Sequence, residues 1–152
     1  MKKYLNWAHN IKNYFGPIKA DIGFIACNTA HHFFKDFQSA VQFELVNILE
    51  TISLPQEGVI FCSPTTKALQ LFGNDAKYAS DNQINEVGKL TSRINNCEKI
   101  GDSEFNFIVG STKLPVFACT ELSMLAFKEK LMGIDTLEQT INEVIRRIKW
   151  LK

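Results

Sequence analysis

The sequence predicts an α/β protein, a parallel sheet with flanking helices, on three observations. Short apolar runs suited to buried strands alternate along the chain with stretches of helical spacing. Two of those runs end in the same dipeptide, Ala-Cys, and each is followed by small polar residues and a helix. The 152 residues, 45% of them hydrophobic, suit one unit. A chain of that size buries roughly two thirds of its unfolded surface.

Taken in order, residues 3–15 place Tyr4, Leu5, Ala8, Ile11 and Phe15 near helical spacing, and Gly16-Pro17 ends that helix. Residues 22–26, Ile-Gly-Phe-Ile-Ala, suit a strand buried on both faces. The spacing predicts helix over 29–41, a weaker strand over 43–48 and a helical turn over 49–53. Residues 58–61 form another apolar strand, and 65–72 another helix, closed by Gly73-Asn74. Tyr78 falls in a short strand and 81–95 in a polar helix. Residues 100–112 fit a strand or a poor helix equally, because Phe105, Phe107, Ile108 and Val109 crowd together. A strand at 116–118 leads to a helix over 122–132. The last helix, 136–151, is amphipathic, with Leu137, Ile141, Val144, Ile145, Ile148 and Leu151 on one side. No linker divides this single unit (1–152), whose lobes run over roughly 1–50 plus 120–152 and over 51–119.

Charge and cysteine usage narrow the function. Lys and Arg number 17 against 16 Asp and Glu, a net charge of +1. Nucleic-acid binding by counterion release needs a basic surplus, so nucleic acid is not an expected partner. Phe33 and Phe37 lie four apart on one helix face, which suits packing better than base stacking. The basic opening Met1-Lys2-Lys3 leads into Asn6, His9 and Asn10 rather than an apolar stretch, and no apolar run is long enough for a bilayer. A soluble, cytoplasmic protein without a membrane partner is expected. Of the four cysteines, Cys27, Cys62 and Cys119 end apolar runs and Cys97 sits among polar residues; no CxxC occurs. All four read as thiols in a reducing compartment. Cys62 reads as structural and Cys97 as a surface thiol. His31 and His32 point apart on a helix and have no third ligand spaced nearby, so no metal is expected.

The echo carries the chemistry. Residues 24–29 read Phe-Ile-Ala-Cys-Asn-Thr, and residues 116–121 read Val-Phe-Ala-Cys-Thr-Glu. Ligands of open α/β sheets bind at the carboxyl ends of strands, and each of these cysteines stands at such an end, where a helix begins. Backbone N–H groups and the helix dipole there favour a thiolate and hold a carboxylate. Two matched thiols facing each other suit one reaction: a thiolate removes a proton from one face of a carbon while a thiol donates one to the other, inverting the centre.

The segments Cys27-Asn28-Thr29-Ala30-His31 and Cys119-Thr120-Glu121-Leu122 resemble the two signature motifs of the aspartate/glutamate racemase family, in particular its aspartate racemase branch. The resemblance runs over most of 18–150. It takes in the strand at 58–61, Thr65-Thr66, Asp81-Asn82-Gln83 and Gly133-Ile134-Asp135-Thr136. It implies a two-lobe racemase-like fold and a cofactor-independent racemase of aspartate or glutamate, with Cys27 and Cys119 as acid and base. It also implies Asn28, Thr29, Thr66, Thr120 and Glu121 as substrate-binding residues and His31 as an orienting one. No pyridoxal-phosphate lysine, phosphate loop or dinucleotide fingerprint is present, so no cofactor is expected.

Family members begin with a glycine-rich strand and a βαβ segment, whereas this chain begins at the helix before the first cysteine motif. It therefore reads as a shortened member or as a piece of a longer product. Two other readings stay open: a catalytically silent relative that binds a ligand or partner, and another thiol-dependent enzyme of the scaffold, such as a hydantoin racemase, maleate isomerase or decarboxylase. A homodimer is expected, since a sheet short of one edge leaves strand groups or apolar helix faces to cover.

Overall fold

The computed structural model describes residues 19–150. The helix expected over 3–15 lies outside them. Among the described residues, five strands form two parallel sheets rather than one. In the first, β1 (Ile22–Phe24) pairs with β2 (Glu44–Val46), Ile22 opposite Glu44 and Phe24 opposite Val46. The crossover between them is a 3-10 turn (Thr29–Phe33) that runs directly into α1 (Phe34–Ala40), so the helix expected over 29–41 is present with a tighter first half. All three β1 residues are only half-buried, because a two-stranded sheet covers less of them than a wide one would. The short α2 (Ile48–Thr51) follows, and Asn47 Oδ1 accepts from Leu49 N at its start.

The second sheet has the order β3-β4-β5, formed by β3 (Val59–Cys62), β4 (Pro115–Ala118) and β5 (Ile134–Asp135). β4 is the middle strand and all four of its residues are buried, which is why it reads as an unbroken apolar run. Tyr78 makes an isolated bridge to Ile60 on the free side of β3. Between β3 and β4 come α3 (Pro64–Ala68), α4 (Asp81–Asn95) and α5 (Glu104–Val109). After β4, α6 (Thr120–Glu129) and, beyond β5, α7 (Thr136–Trp150) complete the chain.

The main core lies under this second sheet. Phe61, Phe105 and Phe117 are fully buried, and the rings of Phe105 and Phe117 meet edge to face at 5.4 Å. Burying each such ring is worth about 2–3 kcal/mol. α4 contributes Ile84, Val87 and Leu90 from one stripe and keeps the rest of its surface polar. Gly88 lets this helix close on α3, since a Cβ there would meet Pro64 Cγ at 2.8 Å.

The ambiguous segment 100–112 is a helix. A strand would bury Phe105, Phe107 and Val109 on one face. The helix buries Phe105 and Val109, one turn apart, and leaves Phe107 90% exposed. Its start is completed from elsewhere: the Phe105 and Asn106 N–H groups donate to the Glu129 carboxylate of α6, at 3.2 and 2.7 Å. The helix expected over 65–72 stops at Ala68, where Gln70 turns to a φ of 48°.

α7 packs against β1 and α2 on one side and against α6 and β4 on the other, so it ties the sheets together. Its polar Thr136 and Thr140 are buried at that junction, while Ile141, Ile145 and Ile148 of the expected apolar stripe stay about 40% exposed.

Candidate active site

Both echo cysteines stand at strand ends. Cys27 lies in the turn between β1 and the 3-10 segment, and its carbonyl accepts from Ala30 N at 3.2 Å and from His31 Nδ1–H at 2.9 Å. Cys119 is the residue before α6, with an extended backbone, and its carbonyl accepts from Ser123 N at 3.1 Å. The two come from different sheets and line the same cleft, a cavity of about 380 Å3. Segments 26–29 and 118–121 form its two walls. Ser63 from the turn after β3 and Thr65 from the first turn of α3, with Thr91 and Asn95 from α4, close it.

The cleft is electrostatically lopsided. Cys119 Sγ donates its proton to Glu121 Oε2 at 2.8 Å, and Thr120 Oγ1 donates to the same oxygen at 3.0 Å. Burial, then the Glu121 carboxylate, push the Cys119 thiol far above its ordinary range; N–H groups of Glu121 and Leu122 at the helix start pull the other way and are outweighed. Burial raises the Glu121 carboxyl, but hydrogen bonds from Cys119, its own N–H, Thr120 and Asn95 outweigh it and hold Glu121 ionised. The proton therefore rests on Cys119. Among the described residues no carboxylate hydrogen-bonds the Cys27 thiol, although Glu121 lines the same cleft.

The other expected residues divide into those that face the cleft and those that support it. Asn28, 3% exposed, lines the cleft edge. Its Nδ2 donates to Thr136 Oγ1 at 3.1 Å, and Thr136 in turn donates to Phe117 O. The Asn28 Oδ1 is buried without a hydrogen-bond partner. Thr29 lines the cleft and joins a triangle of hydroxyls with Ser63 at 3.1 Å and Thr66 at 2.7 Å. Thr66 itself is 1% exposed and stands behind Thr29, while Ser63 and Thr65 take the lining position. Thr120 and Glu121 line the cleft. His31 does not. It is buried under the Cys27 turn, stacked on Phe34 with centroids 5.8 Å apart, and burial lowers its pKa, so it holds that turn as a neutral ring.

Ser63, Thr65, Thr91 and Asn95 are not among the site residues that the sequence assigns, although Thr65 falls within the stretch of resemblance. Ser63 and Thr65 carry the signal used for the cysteines, a strand's carboxyl end followed by a helix. Thr91 and Asn95 are one turn apart on a polar helix and carry no local signal. Cys62 is fully buried and burial pushes its thiol up to about 12; Cys97 is exposed in the turn after α4.

No protein-family model matches the chain. No curated protein matches it either. Seven solved chains do, and three of them are these. An aspartate racemase from Picrophilus torridus superposes with a TM-score of 0.66 at 16% identity, covering 93% of this chain and 68% of its own. A Yersinia pestis protein assigned to the Asp/Glu racemases gives 0.59 at 14%, covering 91% and 72%. An aspartate racemase homologue from Pyrococcus horikoshii gives 0.52 at 16%, covering 95% and 72%. The likeness is one of fold: this chain has an aspartate/glutamate racemase-like fold.

Proposed function

We propose that this chain, folded like the aspartate and glutamate racemases, is a cofactor-independent amino-acid racemase with Cys27 and Cys119 as its acid and base. The observation that carries this reading is the meeting of the two cysteines, 92 residues apart and on separate sheets, in one cleft of about 380 Å3. That volume suits a single amino acid.

The α-proton of an amino acid is a weak acid, so its removal depends on stabilising the charge that develops on the carboxylate. The start of α6 supplies N–H groups and a positive dipole end there, beside the Thr120 hydroxyl. With its proton held on Cys119 by Glu121, the resting protein has Cys119 ready as the acid, and Cys27 acts as the base. The Cys27 thiolate takes the α-proton, the electron pair passes into the carboxylate, and Cys119 returns a proton on the opposite face. After that turnover Cys27 is the thiol and Cys119 the thiolate, and the other enantiomer is processed with the roles exchanged. Asn28 and Thr29 shape the Cys27 wall and His31 fixes its turn. The resemblance makes aspartate and glutamate the first substrates to consider, and it suits a cytoplasmic protein acting as a homodimer.

The test is proton NMR in heavy water on D- and L-amino acids. The intact protein is expected to exchange the α-proton and racemise. Cys27→Ser and Cys119→Ser are each expected to lose racemisation in both directions, while a single mutant keeps exchange for one enantiomer only. Exchange unchanged in both mutants overturns the two-thiol mechanism. Binding of amino acids without any exchange would instead establish a silent ligand-binding relative.

A further inference from the structure

We infer that Thr136, the first residue of α7, is a positioning residue of the two-cysteine reaction, its hydroxyl holding the Cys27 wall of the cleft against the strand that leads to Cys119. This inference rests on the racemase reading and gives a role to a residue outside the cleft lining.

The two walls belong to separate sheets. Inversion asks more of them than a shared cavity, because a sulfur must reach each face of one carbon in a single substrate pose. Thr136 stands at their junction. Its Oγ1 accepts from Asn28 Nδ2 at 3.1 Å and donates to Phe117 O at 3.1 Å. Asn28 is the residue after Cys27, and Phe117 of β4 lies two residues before Cys119. One oxygen thus joins the chain beside the first cysteine to the chain beside the second.

The bonds are sealed from water, with Asn28 3% exposed and Thr136 and Phe117 each 1%. Such bonds do not compete with solvent, and breaking one strands a buried polar group. The position also requires a hydroxyl. It must accept from an amide N–H and donate to a carbonyl at once, which no aliphatic side chain can do. As the first residue of its helix, Thr136 has no carbonyl of that helix one turn back to bond, so its hydroxyl is free to reach outward.

The neighbouring Asp135 ties the same junction to the Cys119 wall. Its Oδ1 accepts from Ser123 Oγ at 2.8 Å, and Ser123 N donates to Cys119 O at 3.1 Å. The dipeptide Asp135-Thr136 therefore grips the first turn of α6 with one side chain and the Cys27 turn with the next. The Thr29–Ser63–Thr66 hydroxyls also cross the seam, but they run to the start of α3 rather than to the Cys119 strand.

The experiment separates inversion from exchange. Removing an α-proton needs one cysteine in place, whereas inversion needs both in register. Proton NMR in heavy water with chiral analysis measures inversion and exchange with retention, on the amino acid that the intact protein turns over best. The variants are Thr136→Val, Thr136→Ser and Asn28→Ala. Thr136→Val keeps the side chain's shape and loses its hydroxyl. It is expected to cut the ratio of inversion to retentive exchange by about tenfold or more, since a misplacement of about 1 Å costs roughly a hundredfold. Loss of folded protein would lower both rates equally and leave the ratio alone. Thr136→Ser, which keeps donor and acceptor, is expected to restore the parental ratio. Asn28→Ala breaks the same bond from its other end and is expected to shift the ratio likewise, so the outcome can be read even where Thr136→Val does not fold. An unchanged ratio in Thr136→Val or in Asn28→Ala overturns the inference and leaves the racemase reading intact. A shifted ratio that Thr136→Ser does not restore overturns it too. An intact protein that exchanges no amino acid overturns the racemase reading, and this role with it.

Discussion

At the scale of single residues, the two cysteines of one echo have become chemically different. Cys119 shares its proton with Glu121 across 2.8 Å, whereas Cys27 sits in a turn held by the neutral His31. The difference comes from the third residue of the second motif, since Glu121 is the neighbour that raises the Cys119 thiol after burial has done so. Cys62 shows the plainer case, where burial alone lifts the thiol from 9.0 to about 12. Its sign for stability is definite. The unfolded chain loses the Cys62 proton above about pH 9 and the folded chain keeps it, so this stabilisation is complete below pH 9 and drains away as pH rises towards 12. The unfolding free energy from urea titrations should therefore fall between pH 8.5 and pH 10.5, by at most about 1.4 kcal/mol per pH unit for this group. Cys62→Ala should flatten that fall. An equally steep fall in Cys62→Ala would show that Cys62 is not its source.

Among the elements, helix starts divide into those completed locally and those completed by the tertiary structure. α4 begins with a capping box, Ser80 and Gln83 each bonding the other's backbone. Ser80→Ala should cost about 1 kcal/mol. α5 has no side-chain cap of its own, and Ser103 before it takes a φ of 67°. Its first N–H groups rely on Glu129, 24 residues on from Phe105. Glu129→Ala should cost about 1–2 kcal/mol. It should also raise hydrogen exchange at the Phe105 and Asn106 amides, which Ser80→Ala should leave unchanged. Matching exchange profiles in the two variants would contradict this division.

For the molecule as a whole, the two sheets are joined by α7 and by the Thr29–Ser63–Thr66 hydroxyls, so the cleft lies at a seam between them. Much apolar surface remains outside. Phe107, Phe127 and Met132 are each close to 90% exposed, and Met124 is 59% exposed one turn before Phe127. Monomers carry scattered exposed apolar side chains, but four large ones on and beside α5 and α6 suit a covered face. Light scattering at micromolar concentration should return a dimer, and Phe127→Asp should return a monomer with the far-ultraviolet circular dichroism unchanged. A parent protein that is already monomeric would remove the dimer.

The sequence by itself determined the alternation of strand and helix, the span of α4, the placing of Cys27 and Cys119 at strand ends, and the resemblance that named the fold. These are short-range properties: hydrophobic period, caps, and a strand's last residue before a helix. Only the tertiary structure decided the rest. β5 is two residues that become a strand by pairing with β4, and 104–109 becomes a helix because Glu129 and the core behind Phe105 make it one. One sheet became two. Thr66 went behind the cleft and Thr91 and Asn95 came to its face, since the direction a side chain points depends on what its helix packs against. The proton's place on Cys119 was likewise undecided until folding buried its sulfur and set Glu121 against it, where burial and one short hydrogen bond outweigh the pull of the helix start.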